Sequence, residues 1–138
     1  MHVLVPMDDS PLARAALEEA LGIFPEADVT VLHVIDYVEE QYGIRMLVPK
    51  AELEERGRER AETLFERARA TAADHDASVA TVARVGKPSR VIVDYVEDND
   101  VDVVVMGSHG RSTVSKLFLG SVAEGVLRRA PVPVTVVR

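Results

Sequence analysis

Two stretches of the sequence, residues 29–35 and 101–106, are apolar at nearly every position and rich in β-branched side chains. A strand with one face in solvent alternates apolar and polar residues, whereas a continuous apolar run is typical of a strand covered on both faces. Such strands belong to parallel sheets with helices packed on each side. The two runs therefore predict central strands of an α/β fold.

Stretches of helical periodicity separate the strands. Ser10 followed by Pro11 predicts a helix start, with a capping hydroxyl and a proline at the first helical position. A longer helix is predicted over about 50–75, a third after Pro88 and a fourth over about 121–129. The apolar faces recur at helical spacing: Ala13, Ala16, Leu17, Ala20 and Leu21 in the first helix, and Leu53, Ala61, Leu64, Ala68 and Ala72 in the second.

Three further strands are predicted over residues 2–6, 78–85 and 132–137, and Pro133 favours an edge position for the last. Five strands alternating with four helices predict an open, doubly wound five-stranded parallel sheet with helices on both faces. No linker or repeat divides the chain, so we expect residues 1–138 to form a single domain. Residues 36–49 show no clear period and are interpreted as a loop of undetermined role.

Composition excludes several classes of protein. The net charge of −7 argues against general attraction to nucleic acid, and no apolar run approaches the length of a membrane helix. Cysteine is absent, which excludes disulfides and Cys-based metal sites. No basic, apolar leader opens the sequence, so we expect a cytoplasmic location.

Candidate binding residues follow two of the predicted strands. In open α/β sheets ligands bind beyond the carboxyl ends of the strands, where the strand order reverses. Pro6, Met7 and Asp8 follow the first strand, and the segment Met106, Gly107, Ser108, His109, Gly110 and Arg111 ends the fourth. Glycines let backbone amides approach a ligand, and Gly120–Ser121 opens a helix whose amides favour an anion. The pattern indicates a phosphate site, although turn glycines and a capping box of Ser121 with Glu124 would explain the same residues without a ligand.

The spacing G-x2-G-x9-G-[S/T], present as Gly107, Gly110, Gly120 and Ser121, resembles the nucleotide-binding signature of universal stress proteins. The segments VLVPMDDS, LHVID, VGKPS and PVPVTVV resemble other landmarks of that family, in order. The resemblance implies an adenine nucleotide alpha hydrolase-like sheet with strand order 3-2-1-4-5. It also implies a nucleotide-responsive stress or signalling module that binds ATP, with Mg²⁺ held through the phosphates.

Residue roles are implied by the same resemblance. Gly110, Gly120, Ser121 and Val122 would contact the phosphates, Asp8 and Gly107 the nucleoside, Pro6 the ribose and Val34 the adenine. His109 and Arg111 lie in the same loop and could meet phosphate charge. No catalytic or protein-held metal residue is predicted, and we interpret His33 as a hydrogen-bonded structural residue.

Three alternatives remain open at this level. A slow ATP-hydrolysing enzyme would use the same site, but the P-loop GxxxxGK[ST] is absent and the loop PMDDS departs from the SGGxDS-like loop of adenylating relatives. A nucleotide-free protein-interaction module would need the glycines only as turns. The resemblance implies a homodimer through residues 132–137, against the alternative of a monomer whose edge is protected by Pro131 and Pro133.

Overall fold

The computed structural model describes residues 1–37, 49–109 and 119–138. Over these residues five parallel strands form one sheet in the order β3-β2-β1-β4-β5, which confirms both the predicted fold class and the strand order. The strands are β1 (His2–Pro6), β2 (Asp28–Ile35), β3 (Val79–Val85), β4 (Val103–Gly107) and β5 (Val134–Val137). The helices of the described part are α1 (Pro11–Ile23), α2 (Lys50–Asp74), α3 (Pro88–Asp98) and α4 (Ser121–Arg129).

Apolar residues cover both faces of the sheet. Helices α1 and α2 pack on one face, where alternate residues of β1 such as Val3 and Val5 point. Helices α3 and α4 pack on the other face, where Leu4 and Leu32 lie. The continuous apolar pattern of the central strands therefore has the predicted cause, because successive side chains of a strand enter opposite cores.

Helix α1 begins and packs as the sequence predicts. The Ser10 side chain accepts a hydrogen bond from the Ala13 backbone N–H, and Pro11 occupies the first turn. All five residues of the predicted apolar face are buried. The predicted face of α2 is buried as well, together with Gly57, Phe65 and Thr71.

Two strands begin two residues later than predicted, whereas the other strand boundaries agree to within one residue. The fourth strand begins at Val103 rather than at residue 101; Val101 is nevertheless buried, in the core under α3 and α4. The last strand begins at Val134 rather than at residue 132. Pro133 has no N–H to donate, although its carbonyl accepts a hydrogen bond from Val104 (N···O 3.0 Å), so pairing with β4 starts one residue later.

The edge position predicted for the last strand is confirmed, since β5 is paired with β4 alone in the described sheet. No helix of the described residues is long and apolar enough to cross a membrane. Most of the predicted loop 36–49 lies outside the described residues.

Candidate functional site

Strand order reverses beside β1, which lies between β2 and β4. The last pair between β1 and β2 joins Pro6 to Leu32, and β2 continues three residues beyond it. On the other side, β4 pairs with β1 up to Val104 and then continues to Gly107. The carboxyl end of β1 is therefore recessed between two strands that continue past it. This step forms the crevice in which α/β sheets place their ligands.

The turn from β1 to α1 is held by hydrogen bonds around Asp8. The Asp8 Oδ1 atom accepts from the Ser10 backbone N–H at 2.9 Å, and the Met7 N–H donates to the Leu32 carbonyl at 2.8 Å. Pro6 is buried, whereas Met7 and Asp8 are half-buried. One carboxylate oxygen of Asp8 thus shapes the turn, and the carboxylate has a second oxygen with which to accept a hydrogen bond.

His33 lies under this turn. Its Nδ1 atom is 2.8 Å from the Met7 carbonyl oxygen, a distance at which the ring N–H donates to the carbonyl. The interpretation of His33 as a structural, hydrogen-bonded residue is confirmed. The adjacent Val34 is half-buried and packs against the core under α3 and α4, where Met106 is also buried.

Gly107 brings the end of β4 close to α1. A Cβ atom built on Gly107 would lie 2.9 Å from the Leu12 Cβ, 3.1 Å from its carbonyl carbon and 3.2 Å from its carbonyl oxygen. These distances are shorter than van der Waals contact, so only glycine lets the first turn of α1 approach β4 this closely. The end of β4 therefore meets the first turn of α1 at Leu12, a residue for which the sequence offers no motif.

Ser108 connects three parts of the site. Its N–H donates to the Val137 carbonyl at 2.8 Å, and its own carbonyl accepts from the Gly120 N–H at 2.6 Å. Its hydroxyl lies 3.0 Å from Nδ1 of His109. Only 3% of the Ser108 surface is exposed. Ser108 thus has a structural position that its place in a glycine-rich segment does not reveal.

Gly120 also packs against this segment. A Cβ atom on Gly120 would be 3.0 Å from both the Ser108 carbonyl oxygen and the His109 Cα. The glycine therefore serves an internal contact, whatever its part in binding a ligand. Gly110 and Arg111, the two other predicted residues of this loop, lie outside the described residues.

Helix α4 starts without a side-chain cap. Its N-cap residue is Gly120, and Ser121 is the first helical residue, so the capping box of Ser121 with Glu124 is wrong. Glu124 instead pairs with Arg128 one turn along the exposed face, with an N···O distance of 2.8 Å. Because no side chain caps this end, the first amides of α4 are suited to an external acceptor such as phosphate. Ser121 is exposed there and Val122 is half-buried.

Among the described residues, no group of three His, Asp or Glu side chains is arranged to hold a metal ion. The polar groups at the β1 and β4 ends are backbone amides, hydroxyls, imidazoles and the carboxylates of Asp8 and Asp9. This set is chemically suited to a phosphorylated ligand with hydroxyl groups rather than to a bare cation.

The sequence and the fold were compared with known proteins. The sequence model of the Universal stress protein family matches residues 1–138. Universal stress protein MJ0577 of Methanocaldococcus jannaschii is 32% identical over 151 residues, which cover 99% of this chain and 93% of that protein. The solved MJ0577 structure superposes with a TM-score of 0.84 at 33% identity, over 99% of this chain and 94% of that one.

Other solved structures share the fold. Universal stress protein UspA from Lactobacillus plantarum has a TM-score of 0.82 and 26% identity, with 100% of this chain and 97% of that chain covered. A universal stress protein from Archaeoglobus fulgidus was solved in complex with dAMP; its TM-score is 0.75 and its identity 20%, over 100% and 98% of the two chains. Two more were solved with cAMP and with AMP, at TM-scores of 0.76 and 0.72 and identities of 22% and 17%.

Proposed function

Because the chain belongs to the universal stress protein family, we propose that it binds an adenine nucleotide at the recessed end of β1. The observation that carries the proposal is the contact of Gly107 with Leu12, which brings the first turn of α1, directly after the β1 loop, against the end of β4. Proteins of the same fold that were solved with cAMP, dAMP or AMP support the choice of an adenine nucleotide.

We assign roles by position. The uncapped start of α4, with Gly120, Ser121 and Val122, receives the phosphates; Gly110, outside the described residues, has the phosphate role that the family resemblance implies. The second oxygen of Asp8 accepts from a ribose hydroxyl, because a carboxylate beside the phosphates would repel them. The remaining described residues line the nucleoside end or the loop: Pro6, Met7, Val34, Met106, Gly107, Ser108 and His109. Arg111, outside the described residues, is assigned to the same loop by the sequence alone.

We further propose that the ligand is ATP with Mg²⁺. Bound nucleotide would then control the interactions of the protein with its partners, and the protein would not turn ATP over rapidly. Mg²⁺ keeps several waters and binds mainly to phosphate oxygens, so it requires no protein cage. The described residues include no metal cluster, and the chain lacks a P-loop lysine. Bound nucleotide would stabilise the folded protein by linkage.

The proposed assembly is a homodimer of single-domain subunits in the cytoplasm. Strand β5 is short, apolar at three of its four positions and paired with β4 on one side. An edge of this kind is well suited to pair with its copy across a two-fold axis. Membership of the universal stress protein family supports this arrangement.

Calorimetric titration of nucleotide-stripped protein with Mg²⁺ and ATP tests the proposal. Asp8→Asn keeps an oxygen for the Ser10 N–H and replaces the other oxygen by an amide, which cannot accept from ribose. Hydrogen bonds to charged groups contribute about 1.5–3 kcal/mol, so we expect affinity to fall at least about tenfold. Asp9→Asn, in the same loop and exposed, is the matched control and should bind within about twofold of the wild type.

Saturable binding by the wild type, weakened by Asp8→Asn alone, would support the assigned site. No binding to the wild type would refute the proposed function. A phosphate-release assay on the same samples separates a module from an enzyme: turnover far above the uncatalysed background would contradict the module.

A further inference from the structure

Ser108 connects the proposed nucleotide site to the edge strand β5. The Ser108 N–H is bonded to the Val137 carbonyl, and the Ser108 carbonyl is bonded to the Gly120 N–H. The first bond is the rung that follows the last register pair between β4 and β5, Gly107 with Val137. The second bond joins the same residue to the N-cap of α4. A displacement of the Ser108 backbone therefore alters both bonds.

Strand β5 depends strongly on this rung. It has four residues, it pairs with β4 alone in the described sheet, and Thr135 is exposed while the three valines are half-buried. Short edge strands with little burial open at low free-energy cost. The Ser108 N–H is itself buried, so opening of the strand end would leave that donor unsatisfied, which is unfavourable.

We propose that Ser108 is a positioning residue that couples nucleotide occupancy to the order of β5. A ligand held by the segment 107–109 and by the start of α4 restrains Ser108, and Ser108 then holds the end of β5 in place. By thermodynamic reciprocity, a well-ordered β5 tightens nucleotide binding by the same factor. Pairing of this edge with a second copy of the chain would then depend on nucleotide. The inference rests on the proposed function.

Two truncations at the C-terminal end of β5 test the coupling between this strand and the nucleotide site. Removing residues 137 and 138 deletes the acceptor of the Ser108 N–H, whereas removing Arg138 alone keeps an oxygen acceptor on Val137. We expect the affinity for Mg²⁺ and ATP to fall at least about fivefold in the first variant and to stay within about twofold of the wild type in the second. Unfolding curves of both variants show whether each is folded at the titration temperature.

Hydrogen exchange on the full-length chain gives an independent readout when β5 is compared with β3, the opposite edge strand, because general stabilisation by the ligand would slow both. We expect saturating Mg²⁺ and ATP to slow exchange of the amides in residues 132–138 at least about fivefold more than exchange of the amides in β3. Binding by the wild type with exchange in this segment slowed no more than in β3, or equal affinity of the two truncations, would overturn the coupling while leaving the proposed function intact. A wild type that binds no nucleotide would overturn both.

Discussion

Replacing Gly107 with alanine places a methyl group where helix α1 already lies. The new carbon would be 2.9 Å from the Leu12 Cβ and 3.1 Å from the Leu12 carbonyl carbon. Carbon atoms are attracted best at about 3.5–4.0 Å, so α1 and β4 must separate by roughly 0.5–1 Å. Part of the obstacle is backbone, which cannot rotate aside as the end of a flexible side chain can.

The expected cost follows from this geometry. Overpacking of a well-packed contact destabilises by about 1–3 kcal/mol. Alanine recovers about 0.4–1 kcal/mol through the lower entropy of the unfolded chain, which leaves a net loss of about 1–2 kcal/mol. With a urea m-value of about 2 kcal/mol/M, the unfolding midpoint should fall by about 0.5–1 M at unchanged slope.

Gly22→Ala is the matched control. A Cβ atom on Gly22, near the end of α1, would have no neighbour within 4 Å. Alanine is favoured over glycine in helices by about 0.5–1 kcal/mol, so the midpoint should stay the same or rise slightly. Both variants are unfolded in urea without nucleotide, so the assay reports packing and not ligand binding.

A Gly107→Ala midpoint equal to or above that of the wild type would refute the packing argument. It would also favour the opposite interpretation, in which Gly107 is required only for the approach of a ligand. In that case nucleotide affinity would fall while stability stayed the same.

Three further predictions concern stability, each measured as the free energy of unfolding in urea. Ser10→Ala removes the hydroxyl that caps α1 and should cost about 1 kcal/mol, whereas Ser121→Ala, at the uncapped start of α4, should change it by less than about 0.5 kcal/mol; equal effects would contradict the cap assignment. His2→Leu removes ring hydrogen bonds to Thr30 and to a backbone carbonyl and should lower the free energy of unfolding by about 1–3 kcal/mol. The control His75→Leu changes an exposed residue and should alter it by less than about 0.5 kcal/mol. Gly125→Ala should cost about 1–3 kcal/mol, because its methyl group would lie 2.8 Å from a Cβ of α3; a neutral effect would show that α3 and α4 can separate freely.

Local signals account for the parts of the fold that the sequence predicted well. Strand and helix types follow from hydrophobic period, and the start of α1 follows from a serine and a proline whose effects act within one turn. The boundary of β5 was less accurate, because the apolar residues 132–133 continue the pattern of the strand. The loss of one N–H at Pro133 decides where pairing starts, and that depends on the partner strand.

The candidate site divides in the same way. Its glycines and the loop after β1 are visible in the sequence, since glycine spacing and short segments such as VLVPMDDS carry the family resemblance. The reason for two of the glycines is not visible there, because Leu12 and Ser108 carry no motif and meet Gly107 and Gly120 only in the folded chain.

By itself, then, the sequence determined the fold class, the order of elements and the family to which this chain belongs. Each of these depends on periodicity, on turn chemistry or on spacing along the chain. Tertiary structure alone decided that the carboxyl end of β1 stops short of both neighbouring strands, that α1 approaches the end of β4, and that Ser108 joins the candidate site to β5. The physical reason is that close packing and buried hydrogen bonds join residues far apart in sequence, and no local pattern records their distance.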